Sequence, residues 1–444
     1  KKIVLGGPHP SALYEDILKN VPEVDFIAIG EGEESLLGLL SYLEGRSELD
    51  ELSGLATRDK SGKVIVLNSS KRIKNLNQDN IPFPARHLLP MENYIQAQEG
   101  HGPSSGRWTS ILSSRGCPYG CTFCESRRTT WIAREPSDVV DEMEFCLKEW
   151  GINEFHFEDD NMTINKDRLI GICDEIISRG LKIKWQTPNG IRASVTDSEM
   201  LSKMRDSGCL HITLAPETGS IRVLKEIIEK GKDFDLTQLK DCGALAHKLG
   251  LKVAAYFIIG LPGETRLEVQ ETINYAKELA KSGVDEVAFG LFIPLPGTPL
   301  WEVSKKKNQD LDFLDLLAVG DMNKAVSWND YMDAEELNSL RLKAYIGFHL
   351  TRMIYHPLLF MKSFFNVMRN IEETKTERTL LQFIKHFGIK KKSTKKTDIG
   401  LASYPYDSSS TVKTILQSKP HYAYGHSLLK TLRFWKKETF NSKN

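Results

Sequence analysis

Between Ser110 and Ile293 the chain repeats one unit six times: a short apolar run, a polar turn, then apolar residues at helical spacing. Short runs rich in Val, Ile and Phe read as buried strands, and the longer periodic stretches between them as amphipathic helices. Strands are expected at Ser110–Ser114, Phe155–Phe157, Lys182–Gln186, His211–Leu214, Val253–Ile259 and Val287–Ile293. Helices are expected over 137–150, 166–179 and 197–206, the first carrying Val139, Met143, Cys146, Leu147 and Trp150 on one face. Strands joined by helical crossovers pair in parallel. Six units fall short of the closed eight-stranded ring, so the expected fold is α/β, a partial, TIM-like (β/α)6 barrel open on one side.

In such barrels functional groups gather at the carboxyl ends of the strands. Here those ends carry Cys117, Cys121 and Cys124, then Asp159 and Asp160, Arg192, Glu217, Gly260 and Pro296. Asp and Asn also terminate strands and cap helices on their own account, so one such residue alone is ambiguous. The set is hard to explain as core packing.

The first of these ends reads Arg115-Gly-Cys117-Pro-Tyr-Gly-Cys121-Thr-Phe-Cys124, a C-x3-C-x2-C spacing. Three thiolates on a tight Gly/Pro loop can hold three irons of a [4Fe–4S] cube and leave the fourth iron without a protein ligand. Electron-transfer clusters normally take four cysteines. The rival readings are a disulfide pair or part of a zinc site. Zinc wants a fourth Cys or His nearby, and the next His is His156, beyond an expected helix. Cys146, Cys173 and Cys242 on helices, and Cys209 at the start of a strand, read as small packing residues.

The cysteine loop and the barrel pattern resemble the radical S-adenosylmethionine (SAM) superfamily over residues 109–305. The resemblance implies that the amino and carboxylate groups of SAM bind the open iron, and that the reduced cluster cleaves SAM to a 5′-deoxyadenosyl radical. It further implies roles residue by residue. The Phe123 backbone meets adenine, and Asp159 and Asp160 stand where the family often has a Gly-Gly-Glu for the SAM amino group. Arg192 holds the SAM carboxylate, as a guanidinium does well. Glu217 serves the ribose or methionine end, and Ile258-Ile259-Gly260-Leu-Pro-Gly-Glu264 and Pro296 line the cofactor.

Residues 1–48 read as strand–helix–strand–helix, with Ile3-Val4-Leu5 and Asp25–Ile29 as strands and Ser11 as a helix cap. Glycines at the ends of strands mark a doubly wound, Rossmann-like unit, and ligands bind at such ends. The pair Gly6-Gly7-Pro-His9-Pro and Gly30-Glu31-Gly32-Glu33 resembles the last third of a cobalamin-binding domain. Such domains precede the barrel in the cobalamin-dependent branch, which includes radical SAM methylases and bacteriochlorophyll cyclase-like enzymes. The resemblance implies corrinoid contacts at Gly6, Gly7, Gly30, Glu31, Gly32 and Glu33; small glycines let backbone approach a bulky ligand. The branch's Asp-x-His-x-x-Gly signature would lie upstream, and His9 reads as a loop residue. Beginning at Lys1 without Met, the chain reads as a fragment. Residues 49–108 read as a hairpin, turning at Asp59-Lys-Ser-Gly62, and a linker whose Ile81-Pro-Phe-Pro-Ala-Arg86 resembles this branch's connector.

Residues 306–390 read as a helical region and 391–444 as a poorly ordered tail. The apolar cluster Leu358–Met361 with Phe364 and Phe365 either meets a lipid or isoprenoid or packs over the barrel's open side; packing is the commoner fate. Lys385–Lys396 could touch anionic lipid or nucleic acid, with a solvated tail as the alternative. Lys+Arg and Asp+Glu both number 59, so no overall field points to nucleic acid or an anionic membrane. Seven cysteines do not resemble a secreted disulfide framework, and no apolar run is long enough to span a bilayer. The expectation is a cytoplasmic radical SAM enzyme using a [4Fe–4S] cluster, SAM and cobalamin, fed by a flavodoxin- or ferredoxin-type donor and acting on a small molecule. Carbon methylation is the first expected outcome. Oxidative cyclisation is the alternative, and a cobalamin- and cluster-binding redox sensor without turnover the rival from another class.

Overall fold

The first sheet is small and covered on both faces. In this computed structural model, residues 1–69, 73–77, 80–97, 101–231, 233–307, 326–371, 373–374, 376–378 and 381 are described. β1 (Val4–Leu5), α1 (Pro8–Ala12), α2 (Tyr14–Asn20), β2 (Phe26–Ala28) and α3 (Glu33–Leu43) follow one another, with β1 and β2 parallel. Successive strand residues point to opposite faces. Ile27 accordingly packs with Leu13, Ile17 and Leu18, while Phe26 and Ala28 pack with Leu39 and Leu55. The hairpin β3 (Leu55–Arg58) and β4 (Val64–Leu67), expected as a segment separate from residues 1–48, instead continues this sheet in the order β1-β2-β3-β4. Ser11 does not cap a helix. It lies within α1, donates to Gly7 O at 2.7 Å and accepts from Gly30 N at 3.0 Å, joining the two glycine loops.

After α4 (Met91–Ala97), β5 (Trp108–Ile111) opens the second sheet. The first barrel strand was expected to run to Ser114 but stops at Ile111. β6 (Ser114–Arg115) pairs antiparallel with β7 (Ile132–Ala133) and pinches the cysteine loop at its base. The repeats then follow as α5 (Pro136–Trp150), β8 (Glu154–Phe157), α6 (Lys166–Ser178), β9 (Lys184–Ile191), α7 (Ser198–Asp206), β10 (Cys209–Glu217), α8 (Leu236–Lys248), β11 (Lys252–Ile259), α9 (Arg266–Lys281) and β12 (Glu286–Leu291). The sheet runs β12-β11-β10-β9-β8-β5, strictly in chain order and parallel throughout. This is the expected open six-stranded α/β barrel.

Local chemistry starts each helix. Asn165, Asp197, Asp235 and Thr265 accept from backbone N–H groups in the first turns of α6, α7, α8 and α9, and Gly151 ends α5 in the left-handed region. One continuous core joins sheet and helices, with Phe155, Phe157, Trp185 and Phe257 almost wholly buried. Each such side chain contributes about 1.5–3 kcal/mol relative to exposure.

α10 (Pro299–Lys307) follows the last strand, and α11 (Ala334–Tyr355) lies along α9 and β12. Its Leu337, Leu340, Ala344 and Phe348 enter the barrel core, and Arg352 donates to Asp285 at 3.0 Å. Pro357 then opens α12 (Pro357–Met368). The cluster Leu358, Met361, Phe364 and Phe365, for which packing was the commoner expectation, is exposed. The expected tail 391–444 lies outside the described residues. No described helix is long and apolar enough to cross a membrane.

Candidate functional site

The cysteine loop is held by its own backbone and by two carboxylates from the end of β8. Cys117 N donates to Thr129 Oγ1 and Thr129 N to Cys117 O, both at 2.9 Å, and Cys124 N donates to Cys121 O at 3.1 Å. Asp160 accepts from Gly116 N at 2.8 Å and Ser126 Oγ at 2.6 Å. Asp159 is buried and accepts from Ser113 N at 2.8 Å, from Ser113 Oγ at 2.6 Å and from the Ser114 hydroxyl. Burial pushes the Asp159 carboxyl up, against the serine hydrogen bonds that favour the anion. Both carboxylates, expected to face SAM, have their oxygens engaged in staking the loop.

The three thiols fit a cluster. Cys117, Cys121 and Cys124 are part-exposed, whereas Cys146, Cys173, Cys209 and Cys242 are buried. Burial pushes the Cys121 thiol up and Cys124 up to about 11, and in both cases negative charge on the neighbouring cysteines adds to the rise. A multivalent cation relieves that repulsion. A zinc ion would need donors within one coordination sphere, about 2.3 Å from each sulfur. Among the described residues no three His, Cys, Asp or Glu are so gathered. A cube, which binds each thiolate through a different iron, does not require it. Burial holds Cys146, Cys173 and Cys242 up at about 11, 12 and 12, in keeping with packing roles.

The opposite wall follows β10. Glu217 ends that strand at φ 65°, a left-handed conformation costly for a side chain of its size. The chain then passes through a π-helical turn, Val223–Ile227, which bonds to the cysteine loop: Thr122 N donates to Ile228 O at 2.9 Å and Thr122 Oγ1 to Ile227 O at 2.5 Å. Beyond it the Lys230 ammonium pairs with Glu217 at 2.5 Å, both side chains nearly buried. Both charges act on Cys121, Lys230 lowering and Glu217 raising its thiol. Arg192 also reaches this wall, but its guanidinium is already engaged. It binds Asp233 at 2.6 and 3.1 Å, and its carbon lies 3.5 Å from the ring centre of Tyr119 in the cysteine loop.

Ile258 and Phe123 meet beside Cys121 in an apolar cluster with Leu261, Phe292, Trp301 and Trp328. Gly260 has φ 83°, and a Cβ there would lie 2.7 Å from Leu337 Cδ1, so glycine is what lets α11 close on the strand end. Glu264 is fully buried; its Oε2 accepts from Gly260 N at 2.6 Å and Leu261 N at 3.1 Å. Desolvation, outweighing those bonds, pushes its carboxyl up to about 8. Pro296 is part-buried in the loop after β12, where a Cβ on the next residue, Gly297, would lie 3.2 Å from Ala12 of α1.

The Gly30–Glu33 loop of the first sheet adjoins the base of the cysteine loop. Gly7 and Gly30 have positive φ, and a Cβ on Gly6 or Gly32 would touch the Ala28 methyl. Glu33 accepts from Arg115 Nη2 at 2.6 Å, and Glu31 accepts from Ile73 N at 2.8 Å. Beside this seam lies a cavity of about 1350 Å³ whose walls include Glu33, Arg115 and Glu158, with Leu36, Leu37 and Phe83 among its apolar lining. Sequence reasoning missed Tyr119, Lys230 and Asp233. Lys and Asp after a strand look like solvated helix residues, and no spacing rule marks them as site residues.

An open parallel barrel that carries a three-cysteine loop after its first strand defines the class of SAM-cleaving iron–sulfur enzymes. The family model of the radical SAM superfamily matches residues 111–276. The chain is 33% identical over 377 residues to an uncharacterized methyltransferase of Pyrococcus horikoshii, covering 83% of this chain and 77% of that protein. It is 29% identical to the anaerobic magnesium-protoporphyrin IX monomethyl ester cyclase of Rubrivivax gelatinosus, covering 70% of this chain and 54% of that one. A radical SAM methyltransferase from Kitasatospora setae, solved with cobalamin and a [4Fe–4S] cluster bound, matches in fold with a TM-score of 0.55 at 19% identity, over 69% of this chain and 60% of that chain. This chain belongs to the radical SAM superfamily. It is an enzyme of the kind that uses a [4Fe–4S] cluster and SAM.

Proposed function

We propose that the protein is a cobalamin-dependent radical SAM methylase that transfers a methyl group to an unactivated carbon of a small molecule. The observation that carries this reading is the seam: the first sheet presents its Gly30–Glu33 loop at the base of the cysteine loop, with Glu33 bonded to Arg115 two residues before Cys117. When bound, the cluster and SAM supply the radical and a corrinoid the methyl group.

Cys117, Cys121 and Cys124 hold the cluster in this proposal, and Phe123, Ile258 and Gly260 offer an apolar surface to adenine. The buried Lys230–Glu217 pair supplies one cation and one anion for the zwitterionic methionine end. Arg192 has to share Asp233 to bind a carboxylate, while Asp159 and Asp160 fix the loop. Gly6, Gly7, Gly30, Glu31, Gly32 and Glu33 border the corrinoid, and Pro296 borders SAM from the last strand. Residues 1–48, 49–108, 109–305, 306–390 and 391–444 are the proposed divisions, with the hairpin of the second packed on the first. A reduced cluster calls for a low-potential donor of flavodoxin or ferredoxin type and a reducing compartment, so the cytoplasm is the proposed location. Oxidative cyclisation is a second reading, supported by the likeness to the cyclase.

The test is anaerobic. The protein is reconstituted with iron and sulfide, iron and cobalamin are counted per chain, and 5′-deoxyadenosine is measured after dithionite and SAM. Four irons, bound corrinoid and deoxyadenosine that disappears in Cys121→Ala are expected. Absence of cysteine-dependent deoxyadenosine overturns the chemistry; deoxyadenosine without corrinoid binding overturns the methylase reading and leaves the cyclase.

A further inference from the structure

α12 is built inside out. Pro357–Met368 contains one charged residue, Lys362, and the residue it buries is polar: Asn366, whose amide donates to Glu377 at 3.0 Å. Most of its apolar side chains face outward, Leu358 84% and Met368 68% exposed, with Met361, Phe364 and Phe365 also exposed and Leu359, Phe360 and Val367 half-buried. An amphipathic surface helix in water does the reverse. On α11, Leu342, Ile346, Leu350 and Ile354 recur at four-residue spacing and are all exposed, while Leu337, Leu340, Ala344 and Phe348 are buried. Apolar residues scattered singly on a surface need no partner, but two successive helices that each carry several outward apolar side chains do.

Charge identifies the partner. Between Leu337 and Ile371 the chain has five Lys or Arg and no Asp or Glu, with Glu335, Glu336, Glu372 and Glu373 flanking the stretch. Lys343 and Arg369 among them are exposed, Lys362 is exposed but pairs with Glu373 at 2.8 Å, and Arg352 is buried on Asp285. Residues 382–444 contain thirteen Lys or Arg and three Asp or Glu. An apolar helix face edged by cations and followed by a basic segment matches an anionic bilayer surface. Nucleic acid would use the cations but not the outward Leu and Phe side chains. A second copy across a twofold axis would bring like charges together.

We propose that α12, with the outward stripe of α11, docks this protein on an anionic lipid bilayer, lying in its surface rather than spanning it. Apolar side chains enter the acyl boundary, and the Lys and Arg side chains meet lipid phosphates. The inference does not depend on which reaction the barrel performs.

The test is co-sedimentation of the full chain with vesicles of phosphatidylcholine alone or mixed equally with phosphatidylglycerol. Binding to the mixed vesicles is expected to exceed that to neutral ones by at least about tenfold, and to weaken with salt. Leu358→Gln with Phe365→Gln should abolish binding. Lys362→Gln with Arg369→Gln should lower only the preference for anionic lipid, and circular dichroism checks that both variants fold. The proposal is overturned if the protein stays in the supernatant with mixed vesicles, if the Leu358/Phe365 variant binds as well as the parent, or if light scattering finds a dimer that this variant breaks.

Discussion

Arg115 and Glu33 join the cysteine loop to the first sheet: Nη2 of the arginine lies 2.6 Å from Oε1 of the glutamate, and Glu31 stands 3.9 Å from the same guanidinium. One comes from the base of the cysteine loop and the other from the glycine loop of the first sheet. Burial alone would push the Glu33 carboxyl up, but the Arg115 hydrogen bond and charge hold it below the ordinary range. The pair is partly exposed, so its direct worth is small, about 1 kcal/mol at most.

Glu33→Gln is therefore expected to leave the unfolding midpoint at neutral pH almost unchanged and to lower product formation up to about tenfold, because the cysteine loop loses a lateral support. The pair's stabilisation is present above the ordinary glutamate pKa and is lost as pH falls through the lowered folded value. Deoxyadenosine yield beside thermal unfolding separates the two effects; an equal loss in both would refute a positioning role.

Lys230→Met leaves Glu217 nearly buried without its cation, which costs about 3–5 kcal/mol. Adding Glu217→Gln should restore most of that stability but not SAM cleavage. Denaturant unfolding and the SAM binding constant, measured on the single and double variants, check this. Recovery of both would assign the pair a purely structural role.

Glu264 gives a signed pH dependence. Its folded pKa of about 8 lies above the ordinary 4.5, so between those values the folded state holds a proton that the unfolded state has lost. Stability contributed at this site is full below about pH 4.5 and is lost as pH rises toward 8. The loss amounts to roughly 5 kcal/mol at most. Glu264→Gln keeps an oxygen for Gly260 N and Leu261 N, and should flatten the stability profile between pH 5 and 8. An unchanged slope would show that the carboxyl is ionised in place.

Gly219 lies where the loop after β10 meets α9. A Cβ there would stand 2.7 Å from Glu271 O and 2.8 Å from Thr272 Cα, backbone atoms that cannot turn aside. Gly219→Ala is expected to cost about 1–3 kcal/mol and to displace Glu217. Lower stability with SAM affinity intact would confine the effect to packing.

The barrel was legible because its signal is local. Each strand and each amphipathic helix repeats within its own unit, and the observed boundaries differ most at β9, which runs to Ile191 and not to the expected Gln186, and at Ile111, where the chain leaves the sheet to form β6. The cysteine spacing was equally plain, since Cys117, Cys121 and Cys124 lie within one loop. The hairpin was recognised but not its place in the first sheet, because a β-turn signal says nothing about which distant strand it joins.

What the sequence determined by itself is therefore the alternation of elements and the spacing of Cys117, Cys121 and Cys124, both fixed by neighbours a few residues apart. Tertiary structure decided which charges face which. Asp159 and Asp160 look like cofactor ligands by position but bind Ser113, Ser114, Gly116 and Ser126, while Lys230, unremarkable in sequence, meets Glu217 beside Cys121. It also turned α12 outward, against the usual rule of burial. Side-chain partnership across strand ends depends on loops that bring residues far apart in the chain to within hydrogen-bonding distance, and hydrophobic periodicity carries no record of that.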